Sequence, residues 1–419
     1  MTMLSLAWQS ARGRRHALLL TLGSIILSVA LLLAVERLRH GARDSFTAAL
    51  SGTDLIVGPR GHPVQLLLYS VFHIGETDAG MTWDSVERIG AHPAVAWTIP
   101  LTLGDSHRGF PVVATSTAYF DHYRHGPARA LTFSGGTRFN GLFDVVIGAE
   151  VARRLGYRLG DELTLSHGAG HVDHADHEDK PFTVVGILAA TGTPVDRTLH
   201  IGLQAMEAIH LDWHGGAHVP GVSIGRAELH KFDLRPKQVT AVLVGLKQRA
   251  AVLRMQRVFG ADDKEPLTAV IPGVALRQLW DITGAAERVL RAVSFLVLVV
   301  ALAGLAAAVL AGLGERRREL AILRAVGARP WQIFLLLVCE GLGLTIAGAV
   351  GGFALLELAS LALAPVALAN WGLAIDAFRP GLAEAWLLAA VVGAGLVASI
   401  VPGVRAYRLS LIDGLAPKV

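Results

Sequence analysis

Histidine and acidic side chains are concentrated in one short tract of the sequence. Within eleven positions the tract holds four histidines, and four acidic residues lie among them or directly after them. Neutral imidazoles and carboxylates are the ordinary ligands of Zn²⁺ and related ions. The tract therefore predicts a metal site, with Zn²⁺ as the candidate ion. The candidate ligands are His167, His171, Asp173, His174, Asp176 and His177.

A solvated loop is the alternative interpretation of this tract, because it falls between a strand ending near Leu165 and a strand starting at Phe182. A loop must be ordered before it can hold an ion, so a loop alone would bind metal weakly. Sixteen of the seventeen histidines lie between residues 36 and 290. Three of those outside the tract are open to interpretation as turn or core residues as well as ligands, namely His62, His73 and His200.

Nucleotide chemistry has no recognisable site in the sequence. There is no Gly-x-x-x-x-Gly-Lys-Ser/Thr loop and no Gly-Lys dipeptide, so no P-loop is present to hold phosphates. His-Glu-x-x-His and Cys-x-x-Cys are absent as well. We therefore predict that the chain is not an enzyme and has no catalytic residues.

Long apolar runs in the sequence predict the elements that hold these side chains in place. Hydrophobic residues make up 52% of the 419 residues and charged residues only 17%, a balance unlike that of a soluble protein. Four runs reach the roughly 20 residues that a helix needs to cross a hydrocarbon core about 30 Å thick. The predicted transmembrane helices are residues 17–35, 291–314, 331–356 and 385–404.

Basic residues near these spans predict the orientation of the chain. The tail 1–16, the segment 315–330 and the tail 405–419 together carry eleven Lys or Arg, whereas the short segment 357–384 carries only Arg379. Both termini are therefore expected in the cytoplasm, with a multi-pass chain in the membrane. The net charge of +4 follows from this asymmetry, so we predict no nucleic-acid partner.

Residues 36–290 are expected to form one large extracytoplasmic α+β domain between transmembrane helices 1 and 2. Short β-rich runs bounded by Gly and Pro alternate there with brief helical patterns. From Pro272 to Arg291 the helical pattern continues into the second span and predicts a stalk. The predicted strands are 54–58, 94–103, 110–115, 144–148, 182–188 and 239–246, and the predicted helices are 83–90, 149–156 and 247–260.

The cytoplasmic segment between the second and third spans has the pattern of a charged helix. Five arginines and two glutamates lie near Leu320, Ile322, Leu323 and Val326, which offer apolar contacts, and Gly327 is a helix breaker. Such a helix can present a patch to a partner or can simply anchor the span. The candidate coupling residues are Glu315, Arg316, Arg317, Arg318, Glu319, Arg324 and Gly327.

This segment, together with the Gly-rich third span that follows, resembles the signature of FtsX-like permeases, including MacB-type and LolC/LolE subunits. Residues 146–161 are similar to a recurrent motif of that family's outer domain, and residues 402–415 resemble its tail. The resemblance implies a permease subunit of an ABC transporter in the inner membrane of a bacterium. It also implies a homodimer that works with two copies of a separate ATPase, which holds ATP and Mg²⁺.

The resemblance leaves the transported cargo open. One hypothesis is export or extrusion of an envelope substrate, with a zinc-related role and a periplasmic adaptor or substrate-binding protein among the options. The alternative is an FtsX-like regulator that switches a periplasmic partner and transports nothing. Glu340, an acidic residue inside the third span, is a functional candidate because charge is costly in hydrocarbon, and helix packing is its other interpretation.

Overall fold

The computed structural model describes residues 15–49, 51–75, 79–167, 177, 179–214, 217–218, 224–315, 317–371 and 381–408. The chain divides into two compact units. A helical unit lies within Met1–Gly41, Gly284–Pro365 and Ile375–Val419, and the second unit within Ala42–Thr283 and Val366–Ala374.

The helices of the described residues are, in chain order, α1 Arg15–Ala48, α2 Pro63–Phe72, α3 Trp83–Gly90, α4 Ala118–His122, α5 Ala149–Leu155, α6 Leu203–His210, α7 Val252–Gly260, α8 Pro272–Glu315, α9 Arg317–Ala325, α10 Pro330–Trp371 and α11 Leu382–Arg408. Short 3₁₀ helices occupy Pro194–Arg197, Arg226–Lys231 and Arg249–Ala251.

The strands of the same residues are β1 Leu55–Pro59, β2 Met81–Thr82, β3 Val95–His107, β4 Phe110–Thr115, β5 Arg124–His125, β6 Arg129–Ala130, β7 Phe133–Gly136, β8 Asp144–Ile147, β9 Glu162–Leu163, β10 Ser166–His167, β11 Phe182–Leu188, β12 Leu199–Gly202, β13 Trp213–His214, β14 Ala217–His218, β15 Gln238–Val239, β16 Ala241–Leu246 and β17 Leu267–Val270.

Four of the described helices are long and apolar enough to cross a membrane. The candidate spans are Leu18–Gly41 in α1, Gly284–Ala311 in α8, Pro330–Leu363 in α10 and Leu382–Arg408 in α11. The prediction of four transmembrane helices, with one large domain between the first and the second, is thereby confirmed.

Glycines allow α1 and α10 to pack closely within the helical unit. A Cβ at Gly352 would lie 2.7 Å from Cβ of Val29 and 2.8 Å from the carbonyl oxygen of Ile26, so only glycine fits there. Gly348, one turn earlier, meets Ile25 in the same way. This small-xxx-small spacing is a common way for transmembrane helices to approach each other.

A large mixed sheet forms the centre of the other unit. Its order is β17-β1-β16-β3-β4-β12-β8-β11-β7, with β10 paired to β3 and β9 to β11. The pairs β12–β4 and β11–β8 are parallel, and the remaining pairs of this sheet are antiparallel. A sheet with both faces covered by helices should have strands that are apolar on both sides, and β16 is buried along its whole length.

Alternate residues of the central strands enter two separate cores, as the period of two in a strand requires. Leu55 and Val57 of β1 belong to the core covered by α3, α6 and α7. Ile56, between them, belongs to the core on the other face, covered by α2, α4 and the first turns of α8. The domain is therefore a three-layer arrangement of helices on both faces of a sheet.

Two local predictions differ from the observed elements. Residues 239–246 do not form one strand, because β15 pairs with β2 whereas β16 pairs with β1 and β3, and the chain changes partner at Thr240. The helix expected at 247–260 starts as the 3₁₀ turn Arg249–Ala251 and becomes α-helical only at Val252.

Candidate functional site

The predicted coupling segment contains a short helix, α9, that ends before a glycine. Gly327 has φ +105°, a backbone conformation that suits glycine, and its N–H donates to the Arg324 carbonyl oxygen at 3.0 Å. Leu320 is buried in the core of the helical unit, whereas Ile322 and Val326 are exposed. The helix therefore presents an apolar face that the unit itself leaves uncovered.

The structure describes only some of the charged side chains predicted for this segment. Arg324 is half-buried. The backbones of Glu315, Arg317, Arg318 and Glu319 are helical, but their side chains lie outside the described residues, as does Arg316 altogether.

Charged side chains from three helices meet within the helical unit. The Arg37 guanidinium of α1 lies 2.7 Å from Glu357 of α10 and 2.9 Å from Glu384 of α11, and it also donates to the hydroxyl of Ser360. All three charged side chains are nearly buried. Glu340, the predicted transmembrane candidate, is half-buried on α10.

Four side chains of types that can ligate a metal ion converge in the large domain. Asp105, His167, His177 and His210 each offer one donor atom, and these four atoms all lie within 4.8 Å of one another. Asp105 is on β3, and His167 on β10 is its direct partner in the antiparallel register. Opposite residues of such a pair have neighbouring side chains on one face of the sheet. His210 ends α6.

Backbone contacts hold the other two histidines of this cluster in place. The His177 N–H donates to the Leu165 carbonyl oxygen at 2.9 Å, just before β10. Nδ1 of His210 lies 2.8 Å from the Met206 carbonyl oxygen. Because a carbonyl oxygen only accepts, Nδ1 carries the proton and Nε2 of His210 offers its lone pair to the cluster.

Burial and charge set the ionisation of the cluster. Burial alone would raise the pKa of the Asp105 carboxyl, but the surrounding His167 and His210 side chains lower it to about 2, so the carboxylate is charged. Burial lowers the pKa of His177 to about 4, so its imidazole is neutral near pH 7. Trp213 packs against the cluster, with its ring centroid 4.6 Å from that of His177.

Of the six ligands predicted from the tract, the structure brings together His167 and His177. The other four, His171, Asp173, His174 and Asp176, lie outside the described residues. Sequence reasoning missed Asp105 and His210, because neither lies in a His-rich context. The pairing of β10 with β3 and the end of α6 are what place them beside the tract.

The isolated histidines have other surroundings. His200 is fully buried, with its ring centroid 4.9 Å from that of Tyr119, and His73 is buried beside the Thr198 hydroxyl at 2.9 Å. His62 caps α2, since its Nδ1 accepts from the Val64 N–H. In the structure these three are core and cap residues.

A hydrolase-like spacing occurs once, at residues 221–225, which read Gly-Val-Ser-Ile-Gly. A nucleophile elbow requires this motif between a strand and an α-helix. Ser223 lies outside the described residues, and the segment that follows, Arg226–Lys231, is a 3₁₀ helix. The spacing alone therefore does not support a catalytic serine.

Two family descriptions match successive parts of the chain. The MacB-like periplasmic core domain matches residues 18–248, more than half of the chain, and the FtsX-like permease C-terminal domain matches residues 291–411. This chain is an FtsX/MacB-type ABC permease. The permease match includes α9, α10 and α11, and the core-domain match includes all four residues of the histidine cluster.

Two solved structures are also similar to this FtsX/MacB-type permease, at low identity. The extracellular domain of the noncanonic ABC-type transporter YknZ from Gram-positive bacteria is 11% identical, covering 52% of this chain and 98% of that chain, with a TM-score of 0.30. The periplasmic region of MacB from Actinobacillus actinomycetemcomitans is 10% identical, covering 56% of this chain and 96% of that chain, with a TM-score of 0.32. No curated protein matches the chain.

Proposed function

We propose that this permease transmits ATP-driven movement from a separate cytoplasmic ATPase to its large domain on the other side of the bacterial inner membrane. In this proposal a homodimer binds two ATPase subunits, and movement of the large domain extrudes an envelope substrate. The chain itself catalyses no reaction. Both termini and α9 lie in the cytoplasm, as the excess of basic residues around them supports.

The observation that best supports this proposal is the continuity of α8. Ala275 and Leu276, in its first turns, are buried in the core of the large domain. Leu305 and Leu313, near its other end, are buried in the core of the helical unit. A single helix with residues anchored in both cores can carry a displacement from one to the other. The helix ends at Glu315, next to α9.

The exposed apolar face of α9 supports the docking of a partner on that segment. Ile322 is 53% exposed and Val326, the residue just after α9, is 84% exposed, although nearby Leu320 is buried. Arginines flank them, so a partner with an apolar cleft and an acidic rim would fit. Among the described residues, α9 is the only helix that lies wholly between the second and the third candidate span.

Charge reversal in this segment tests the proposal. In the full-length, tagged chain, Arg317, Arg318 and Arg324 are changed to Glu, and the ATPase that co-purifies from native membranes is quantified by mass spectrometry. We expect at least about a tenfold loss of recovered ATPase, because like charges would then oppose an acidic rim. Matched reversal of Arg405 and Arg408, also basic residues at the end of a span, is the control. Equal ATPase recovery from the wild-type and the triple variant would refute the proposal.

Cargo identification separates extrusion from the regulatory alternative. The assembled complex is trapped with a non-hydrolysable ATP analogue, and its bound molecules are identified by mass spectrometry. A lipid, lipoprotein or peptide retained in stoichiometric amount supports extrusion. Recovery of a cell-envelope enzyme alone supports a regulator that switches this partner.

A further inference from the structure

We propose that Asp105, His167, His177 and His210 form a binding site for one divalent transition-metal ion, with Zn²⁺ as the ion that the donor set fits best. This inference goes beyond the coupling function and does not depend on it, because it concerns the large domain alone. The ligand set also differs from the contiguous His-rich tract, since two of the four ligands come from distant parts of the chain.

The distances among three of the donor atoms match those around a tetrahedral ion, and the fourth donor atom lies within 4.8 Å of each of them. Zn²⁺ bonds of about 2.0 to 2.1 Å place neighbouring ligand atoms about 3.3 Å apart. In the cluster, Oδ1 of Asp105 lies 3.2 Å from Nδ1 of His167 and 3.4 Å from Nε2 of His210, and these two nitrogens are 3.0 Å apart. Nε2 of His177 completes the group, 3.8 Å from Oδ2 of Asp105.

The buried polar atoms of the cluster need a common partner. Both carboxylate oxygens of Asp105 and both ring nitrogens of His177 lack a hydrogen bond of acceptable geometry among the described residues, although both side chains are fully buried and imidazole nitrogens lie near Asp105. Native proteins rarely leave buried polar groups in this state. A proton placed between Asp105 and one histidine would satisfy only that pair. A single cation at the centre reaches all four donors.

A contact outside the cluster has the form expected of a metal-bound histidine. Such histidines almost always donate their second ring N–H to a carbonyl or carboxylate, which fixes the tautomer. The Met206 carbonyl oxygen does this for His210. Imidazole ligands suit Zn²⁺, Cu²⁺, Fe²⁺ and Ni²⁺, whereas Ca²⁺ and Mg²⁺ prefer oxygen alone.

The number of protein ligands indicates a site that binds an ion without performing hydrolysis, and their exposure indicates how an ion enters. Four protein ligands leave no open position for a reactive water on a tetrahedral ion. The side chains of Asp105 and His177 are fully buried, whereas His167 and His210 are 31% and 26% exposed. An ion can therefore enter from the side of these two histidines. Once bound, it ties β10 and the end of α6 to β3.

Metal binding is tested on the full-length chain, purified in detergent and stripped with a chelator. Zn²⁺ is titrated in competition with a fluorescent zinc indicator, and bound zinc is counted by elemental mass spectrometry. We expect one Zn²⁺ per chain. Substitutions Asp105→Asn and His210→Ala should each weaken binding at least about 100-fold, because loss of even an outer-shell partner costs 10–100-fold. Failure of the wild-type chain to retain stoichiometric zinc would overturn the proposal.

Two controls assign the binding to this cluster. His230→Ala removes an exposed imidazole of the same domain, and the double variant His171→Ala, His174→Ala removes half of the tract histidines. Both should keep the wild-type affinity. If instead the double variant loses zinc while Asp105→Asn and His210→Ala retain it, the tract is the site and the proposal is wrong.

A spectroscopic readout avoids any ambiguity from misfolded variants. Trp213 lies against two of the ligands, so paramagnetic Co²⁺ bound in the cluster should quench its fluorescence. The variant Trp213→Phe alters no ligand, and it should lose the quenching while still binding one Zn²⁺. Quenching that persists undiminished in Trp213→Phe would place the ion elsewhere and contradict the proposal.

Discussion

At the scale of single residues, His200 shows how burial decides what a histidine does. It lies in the core of the large domain, and burial, together with nearby His73, lowers its pKa to about 3. In an unfolded chain the same side chain has a pKa of about 6.5. Between these two values the unfolded state binds a proton that the folded state does not, so the free energy of unfolding decreases as the pH falls.

We predict that His200→Phe removes part of the acid sensitivity of the domain. From pH 7 to pH 5, His200 alone accounts for a loss of about 2 kcal/mol, which the variant should not show. Hydrogen exchange of β8 and β12 peptides, corrected for the intrinsic effect of pH, measures this locally. The exposed His230, changed to Phe, is the control and should keep the wild-type dependence. An identical pH dependence in His200→Phe and the wild type would contradict the assignment.

Single residues also show which parts of the site could not be predicted from the sequence. The clustered histidines and acidic residues of the tract predicted His167 and His177 as ligands, and the structure places both in one cluster. Asp105 could not be foreseen, because its role depends on which strand β10 pairs with, and on the register of that pair. His210 depends in addition on where α6 ends. Pairing of this kind joins residues more than sixty positions apart, which local patterns do not encode.

At the scale of elements, glycine spacing in α10 determines how closely α1 can approach. We predict that Gly352→Val loosens this contact at a cost of about 1 to 3 kcal/mol, because a buried helix interface resists added volume. Gly343→Val is the matched control on the same helix, since a Cβ there meets nothing within 4 Å. The half-life of the monodisperse chain in detergent at a fixed temperature reports the difference. Equal half-lives for the two variants would argue against close packing at Gly352.

The contact of Arg37 with two glutamates joins α1, α10 and α11. Removing the arginine leaves two buried carboxylates without their cation, so Arg37→Met should destabilise the helical unit by about 3 to 5 kcal/mol. Adding Glu357→Gln and Glu384→Gln should recover much of this loss. The thermal unfolding temperature of the full-length chain is the measurement, with the exposed Arg291→Met as the control. No recovery in the triple variant would mean that the charges are not what couples the helices.

The ends of strands and helices were predicted correctly where neighbouring residues in the sequence mark them. The strand 110–115 and the helix 83–90 coincide with β4 and α3, because turn residues and apolar periodicity marked both ends. The strand expected at 94–103 instead continues to His107 as β3. Gly104 suggested an end there, but pairing with β4 and β10 extends the strand past it. That extension is what carries Asp105 to the cluster.

At the scale of the whole molecule, the chain combines candidate membrane spans, the short helix α9 between the second and third of them, and a large periplasmic-type domain, and its sequence lacks a phosphate-binding loop. Span number and the order of the domains were predictable, since hydrocarbon thickness fixes helix length and composition alone identifies the runs. The three-layer arrangement of the domain was not, because it depends on long-range strand order. Family membership then assigns the chain to the permease class.

We predict, finally, that the purified full-length chain hydrolyses no ATP by itself. Without a P-loop, no backbone cradle or lysine is available to hold the β- and γ-phosphates, and positioning and charge stabilisation account for nearly all of phosphoryl-transfer catalysis. Turnover should equal that of a mock preparation from the same membranes, and it should appear when the co-purifying ATPase is added. Replacing the P-loop lysine of that ATPase should abolish the activity of the complex. ATP hydrolysis by the chain alone at a rate above that of the mock preparation would show that the prediction of a separate ATPase is wrong.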